Sequence, residues 1–448
     1  MCPSYQATRE EMHSTRGRAN LLRAFISSPM SLRVERSNPP MNDEAPAPGA
    51  SAGVEHSVFQ ALDLCLACQG CKAECPSGVD MAKLKYAFQA EYYKTHQRQW
   101  RDYVFGYFHE VAALASSIAP VSNALLEIPF IKNLVAQILG ITTHRSFPKF
   151  VTRQTRILTN EPRGHGEKII FVPDVFSHYI EPEVERAALD MLMKCGYDVR
   201  ILPVVGAGAS FLSKGFVDEA RRHGEKVLEA LIQVDPAGEA SVVGLEPPEI
   251  YLLKHDYVDL LPERAEEIEP RVGKIWLLDE FLLRSDEFNL LRVVTLAEKD
   301  KTEDTPTKNI EIAPPWARND TMNIVFHPHC HQRAEGLSPD GFPTGTNATL
   351  ELLRSCGYEV ALTDTGCCGM AGTFGYEAEH YDLSMKIGEL KLFPTLRQSA
   401  FENRQSQIVS TGAACRMQIR QGTGLEAVHP ILLVQSSLEN KGLSAGKI

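Results

Sequence analysis

Cys65-Leu66-Ala67-Cys68-Gln69-Gly70-Cys71-Lys72-Ala73-Glu74-Cys75-Pro76 places three cysteines at every third position, then a fourth after three more residues with a proline behind it. This C-x2-C-x2-C-x3-C-P spacing suits an iron–sulfur cube. Two-residue gaps let a tight loop turn three thiolates toward one cluster while its backbone N–H groups face the sulfurs. The proline ends the loop and removes a donor that would otherwise need a partner. A structural zinc site takes paired C-x2-C units far apart instead. The stretch therefore predicts a [4Fe-4S] cluster on Cys65, Cys68 and Cys71, set among short helices.

In the two-cluster form of this run the last cysteine serves the other cube. A second Cys-Pro pair stands at Met1-Cys2-Pro3. By the same rule Cys2 is the expected fourth ligand of the cube on Cys65, Cys68 and Cys71. Cys75 is then expected to serve a second, incomplete cluster whose other cysteines lie upstream of Met1. A helical ferredoxin-type domain is expected over 1–100, incomplete at its N-terminus, with a Pro/Ala/Gly-rich loop over 31–56. Helices are expected at Ser14 to Ser27, Val58 to Leu64 and Met81 to Trp100, with Arg16, Arg18 and Arg23 read as a solvated face.

The chain has 448 residues, 44% of them hydrophobic, enough for two or three domains. A formal charge of −11 argues against nucleic acid or an anionic membrane surface as the main partner. Eleven cysteines cluster like ligands and no apolar secretory segment opens the chain, which fits a reducing, cytoplasmic compartment. Tyr103 to Ile141 is strongly apolar and broken by Pro120 and Pro129 into short helices. It reads as a connector over 101–165 packed between its neighbours, with peripheral contact at the inner face of the cytoplasmic membrane as the alternative.

The remainder repeats. Lys168-Ile-Ile-Phe-Val-Pro173 is a buried strand, Glu183 to Lys194 a helix, and Cys195-Gly196-Tyr197 a helix stop before the strand ending at Leu202. The same order returns as Asn323-Ile-Val-Phe-His-Pro328, Ala348 to Ser355, then Cys356-Gly357-Tyr358 and a strand to Leu362. Two related α/β lobes with parallel strands follow, over 166–300 and 321–448, joined by a linker over 301–320. The fold class is α+β overall.

The second lobe carries Cys330 after its first strand, Cys367-Cys368-Gly369 after its second, and Cys415 in Val409-Ser-Thr-Gly-Ala-Ala-Cys415. Each follows a strand end, where open α/β sheets place ligands. In a turn released by Gly369 both adjacent sulfurs can reach one centre. The residues alone leave a cubane, another iron centre or zinc open. His327, His329 and His331 flank Cys330 as ligands, proton carriers or neutral hydrogen-bonding groups, the last favoured. Arg416 reads as stabilising a charged cluster, or as a surface residue. Placing Cys195-Gly-Tyr over Cys356-Gly-Tyr sets Gly206-Ala207-Gly208 on Cys367-Cys368-Gly369, Val175 on Cys330 and Glu249 on Cys415. The first lobe is therefore expected to bind no cluster, and Cys195 and Cys356 read as small core residues.

Cys367-Cys368-Gly369 with Cys330 and Cys415 resembles the cysteine-rich CCG domain. That domain occurs in heterodisulfide reductase, in the iron–sulfur subunits of glycolate oxidase and anaerobic glycerol-3-phosphate dehydrogenase, and in lactate-utilisation proteins. Met1-Cys-Pro-Ser-Tyr5, His13-Ser-Thr-Arg-Gly-Arg-Ala-Asn20 and Cys75-Pro-Ser-Gly-Val-Asp-Met-Ala-Lys-Leu-Lys85 bring it closer. Together they are similar to the C-terminal half of long bacterial FAD-linked oxidases acting on D-2-hydroxy acids. The longer members carry a flavin domain upstream, missing from this chain along with the first three cluster cysteines. The family also often ends in C-x2-C, where Gly412 stands here in place of the first cysteine.

The resemblance implies an electron-transfer component that passes electrons from a flavin-dependent dehydrogenase of D-lactate, glycolate or D-2-hydroxyglutarate to an acceptor such as quinone. The flavin part is expected on another chain or an upstream domain, since no G-x-G-x-x-G motif is present. Two other readings stand beside it: a non-catalytic scaffold or remnant of a larger oxidase, and thiol/disulfide chemistry at the CCG centre.

Overall fold

Strands that are apolar on both faces need helices on both sides, and they set the architecture here. The computed structural model describes residues 2–27, 50–152, 166–293, 323–402 and 406–439. The 301–320 linker and most of the 31–56 loop lie outside them. The first sheet comprises β1 (Lys168–Val172), β2 (Asp198–Ile201), β3 (Ser241–Gly244) and β4 (Ile275–Leu277), in the order β2-β1-β3-β4. The second comprises β5 (Asn323–Phe326), β6 (Glu359–Leu362), β7 (Gln407–Val409) and β8 (Ala427–Val428), in the order β6-β5-β7-β8. All pairings within the two sheets are parallel. With the helical N-terminal region this makes the protein α+β.

The two lobes share their register as well as their order. Phe171 pairs with Ile201 and Val243 in the first, and Phe326 with Leu362 and Val409 in the second. Gly196 and Gly357, each following a cysteine at a helix end, both sit at φ +90°, where only glycine is unstrained. Cys195 and Cys356 are buried in one continuous apolar core drawn from both lobes, which includes Phe171, Leu192, Val243, Phe326, Leu353 and Ile431. The lobes thus fold back to back.

Helices Pro3–Thr8, Thr15–Ile26, Ala50–Asp63, Gly70–Glu74 and Met81–Tyr92 form the N-terminal region. Ser14 caps the second by accepting the Gly17 N–H at 2.9 Å, and Asp80 caps the last by accepting those of Ala82 and Lys83. Leu22, Val58, Leu62, Met81 and Phe88 make its core. The helix expected from Met81 to Trp100 stops at Tyr92, and a new one starts at Trp100.

Four short helices, Trp100–Gly106, Phe108–Ser117, Ala119–Glu127 and Pro129–Leu139, lead toward the lobes, with Pro120 and Pro129 in first turns, where no N–H is lost. Their packing is only partly as expected. Phe105, Ala112, Ala119 and Ala136 are buried, but Leu114, Phe130 and Ile138 are 69%, 75% and 62% exposed. Among the described residues no helix is long and apolar enough to cross a membrane.

His380 ties the regions together. It hydrogen-bonds Asp63 of the N-terminal region through Nε2 at 2.9 Å and sits in ion-pair contact with Glu377 through Nδ1, also at 2.9 Å. Glu377 also pairs with Lys214 of the first lobe. Burial lowers the His380 pKa, but the two carboxylates prevail and bring it to about 9.

Candidate metal centres

The cluster loop begins where helix Ala50–Asp63 ends. Ala67 and Gln69 adopt left-handed backbone at φ +47° and +58°, rare for residues with a Cβ, and each reverses the chain between cysteines. Cys2, Cys65, Cys68 and Cys71 consequently line one cavity of about 450 Å³. Backbone N–H groups face the sulfurs: that of Tyr5 at Cys2, of Gly70 at Cys68, of Lys72 and Met81 at Cys71.

Arg18 departs from expectation. It is 1% exposed and not on a solvated face. Its Nη1 donates to the Cys2 sulfur at 3.1 Å, while Nη2 reaches Ser4 at 2.8 Å and Nε the Ala61 carbonyl at 2.7 Å. Burial raises the Cys2 pKa, yet Arg18, Ser4 and the Tyr5 N–H together bring it below the usual thiol value. Cys75 stands apart from this cavity. Its sulfur faces the N–H groups of Val79, Ser77 and Gly78, which lower its pKa.

The second set sits at the carboxyl ends of β5, β6 and β7. Cys330 opens helix Cys330–Arg333, Cys367 and Cys368 lie in the turn after β6, and Cys415 falls in the first turn of helix Ala413–Thr423. Gly369 makes the turn possible: φ is +94°, and a Cβ there would lie 2.4 Å from the Ser384 carbonyl oxygen. Its N–H donates to the Cys367 sulfur at 3.5 Å. The sulfurs form a contact chain from Cys330 to Cys367 to Cys368 to Cys415. Cys330 is held well below the usual thiol pKa by Cys367 and then His329, and Cys368 by Cys367 and Cys415. Cys367 is pushed up by Cys330 and Cys368, and Cys415 by Cys368 and then burial. Four adjacent sulfurs cannot all ionise without a cation among them, and metal ligation supplies one.

Histidines close the site. His327 is buried, its Nδ1 lies 2.9 Å from the Thr365 hydroxyl, and a ring nitrogen lies within 4.8 Å of the Cys368 and Cys415 sulfurs. His331 Nδ1 approaches the Cys330 sulfur at 3.6 Å. His329 fills the room next to Gly412, where a Cβ would meet its Cδ2 at 2.4 Å. Burial lowers the His329 pKa, but Cys330 and Glu246 prevail and raise it to about 9. Arg416 is buried rather than on the surface. It pairs with Glu181 of the first lobe and donates to the carbonyls of Ser410 and Thr411 at 2.9 and 2.6 Å.

Sequence reasoning did not bring the two thiol sets together; the fold does. The cavity lined by Cys2, Cys65, Cys68 and Cys71 is also lined by Cys330, Cys367, Arg333 and Thr365. Leu66 of the cluster loop packs with Cys367, Phe374 and Ile387, with Cys68 and Cys330 against the same group. Burial raises the Cys68 pKa first, and Cys330 raises it further.

In the first lobe the corresponding place is filled. The Glu249 carboxylate accepts the N–H groups of Ala207 and Ala209 at 2.6 and 3.3 Å. Burial pushes its pKa up to about 7. No thiol is present there, and a protein carboxyl occupies the turn.

Residues 1–80 match the 4Fe-4S dicluster domain family, and residues 324–420 match the cysteine-rich domain family. The chain joins a 4Fe-4S dicluster domain to a cysteine-rich domain. It is an iron–sulfur protein, and the thiol-lined cavity at the loop and the sulfur chain in the second lobe fit such clusters. The chain is similar to D-2-hydroxyglutarate dehydrogenase of Pseudomonas putida, 23% identical over 97% of this chain and 41% of the relative. The Escherichia coli D-2-hydroxyglutarate dehydrogenase is 22% identical over 96% and 41%. A subunit of the anaerobic glycerol-3-phosphate dehydrogenase of Escherichia coli is 24% identical over 81% of this chain and 83% of the relative. The chain thus spans about two fifths of the length of the D-2-hydroxyglutarate dehydrogenases it matches.

Proposed function

We propose that this chain is an electron-relay component of a flavin-dependent 2-hydroxy-acid dehydrogenase. Cys2, Cys65, Cys68 and Cys71 hold one [4Fe-4S] cluster, and Cys330, Cys367, Cys368 and Cys415 hold a second iron–sulfur centre. Cys75 belongs to a further cluster shared with sequence outside this chain. A cluster bound at such a site stores and releases single electrons. The observation that carries the reading is the single cavity lined by Cys2, Cys65, Cys68 and Cys71 together with Cys330 and Cys367 of the second set, with Cys68 facing Cys330. Two redox centres in one protein wall suit transfer between them better than two independent structural sites.

The residues tune that role. Arg18 offsets thiolate charge at Cys2, and the N–H groups of Gly70, Lys72 and Met81 do so along the loop. The likeness to D-2-hydroxyglutarate dehydrogenases supports the substrate class, and the proposed flavin partner lies on another chain or an adjoining domain. Quinone is the proposed acceptor. The exposed apolar helices between Phe108 and Leu139 support a peripheral contact at the inner face of the cytoplasmic membrane.

The test is anaerobic mixing of the reconstituted protein with a flavin-containing D-2-hydroxy-acid dehydrogenase and its substrate. Bleaching of the cluster absorption that is lost in Cys68→Ser supports the relay. Full iron loading with no reduction by any such donor favours the scaffold reading. Turnover of a disulfide substrate dependent on Cys367 favours thiol/disulfide chemistry.

A further inference from the structure

We propose that His327 is a nitrogen ligand of the centre formed by Cys330, Cys367, Cys368 and Cys415, oriented by Thr365. The inference rests on the reading that those cysteines hold an iron-containing centre.

Three observations carry it. His327 is 1% exposed, and its Nε2 meets no nitrogen or oxygen partner and faces only the Cys368 sulfur, an arrangement that is costly for a buried polar atom unless something else binds there. Its other nitrogen, Nδ1, is fixed by Thr365 at 2.9 Å, and Thr365 in turn lies 3.1 Å from the Thr363 hydroxyl. Such a contact behind the ring sets its angle and leaves Nε2 as the ligating atom. A ring nitrogen also lies within 4.8 Å of both the Cys368 and Cys415 sulfurs, so three donors converge.

The first lobe is an internal control. Thr363 donates its N–H to the Phe326 carbonyl at 2.9 Å, just as Leu202 donates to Phe171 at 3.0 Å. By that register His327 and Thr363 fall on Val172 and Leu202, within the first lobe's apolar core, and Thr365 on Val204, which packs against it. Where the thiols are replaced, the histidine and both threonines are replaced too. A histidine serving only to pack or cap would have no reason to disappear together with the sulfurs. A nitrogen ligand also offsets the thiolate that Gly412 lacks, since neutral imidazole adds no charge to an anionic centre.

The experiment is nitrogen hyperfine spectroscopy of anaerobically reconstituted full-length protein labelled with 15N-histidine, in oxidised and reduced samples, with iron counted in parallel. The expected result is a directly coordinated nitrogen that disappears in His327→Ala, persists in His329→Ala, and weakens in Thr365→Val. His327→Cys is expected to keep its iron and lower the midpoint potential, because a thiolate replaces a neutral ligand. Iron that depends on Cys367 and Cys415 but shows no coordinated nitrogen, or a nitrogen signal unchanged in His327→Ala, overturns the role of His327 alone. Iron unaffected by Cys367→Ser and Cys415→Ser overturns the centre itself, and the proposal with it.

Discussion

Glu249 and Cys415 occupy the same place in the two lobes. Each follows, at equal spacing, the strand residue that pairs with the central phenylalanine: Val243 with Phe171, Val409 with Phe326. The first lobe closes its strand ends with a carboxylate on the Ala207 and Ala209 N–H groups. The second leaves them lined with sulfur. The same scaffold thus carries a sealed site and an open one.

Because burial holds the Glu249 carboxyl at about 7 against an ordinary 4.5, the folded state binds more protons than the unfolded state between those values. Its contribution to stability is full below about pH 4.5 and lost as pH rises through about 7. The slope is at most about 1.4 kcal/mol per pH unit. Denaturant unfolding across this range is expected to show a flatter pH dependence in Glu249→Gln than in the wild type. Equal slopes would remove Glu249 as the source.

Gly369→Ala places a methyl 2.4 Å from the Ser384 carbonyl oxygen at a φ of +94°. The strain is about 1–3 kcal/mol, concentrated in the turn that presents Cys367 and Cys368. Iron assigned to the second lobe should fall while the ferredoxin-type signal stays. Gly357→Ala, also at positive φ but with open space around its Cβ, should cost stability without selective iron loss.

Arg416 joins the lobes through Glu181, so removing Glu181 strands the buried Arg416 charge and removing Arg416 leaves the half-buried Glu181 carboxylate without its partner. Arg416→Met should destabilise by about 3–5 kcal/mol. A double-mutant cycle with Glu181→Gln should recover much of that loss. Additive effects would mean that the pair is not coupled.

Leu114, Phe130 and Ile138 expose apolar surface on neighbouring helices. Co-sedimentation with phospholipid vesicles is expected for the wild type and reduced in Phe130→Ser/Ile138→Ser, with iron content unchanged. Because few lysines or arginines lie there, salt should affect binding little. Absence of binding in the wild type would leave the patch to a protein partner.

The repeat was legible because both lobes end a helix with Cys-Gly-Tyr before a strand, and the buried strands read as unbroken apolar runs. The cluster loop was legible because ligand spacing is local. Arg18 and Arg416 were not: charge and periodicity suggest solvent, and only tertiary partners such as Cys2, Ala61 and Glu181 reveal their burial. The shared cavity was hidden for the same reason. It depends on Leu66 meeting Phe374 and Ile387, contacts far apart in sequence. The carboxylate seal at Glu249 was half visible, since the aligned position was clear but not the N–H groups it accepts.

The central claim, two iron–sulfur centres sharing one cavity, is tested most directly by iron and acid-labile sulfide analysis with EPR of the anaerobically reconstituted protein. The expected result is a four-iron centre lost in Cys68→Ser and a separate iron signal lost in Cys367→Ser, with each signal altered by the presence of the other. Iron near zero in iron-replete preparations, or a single centre that vanishes in both variants, would contradict it.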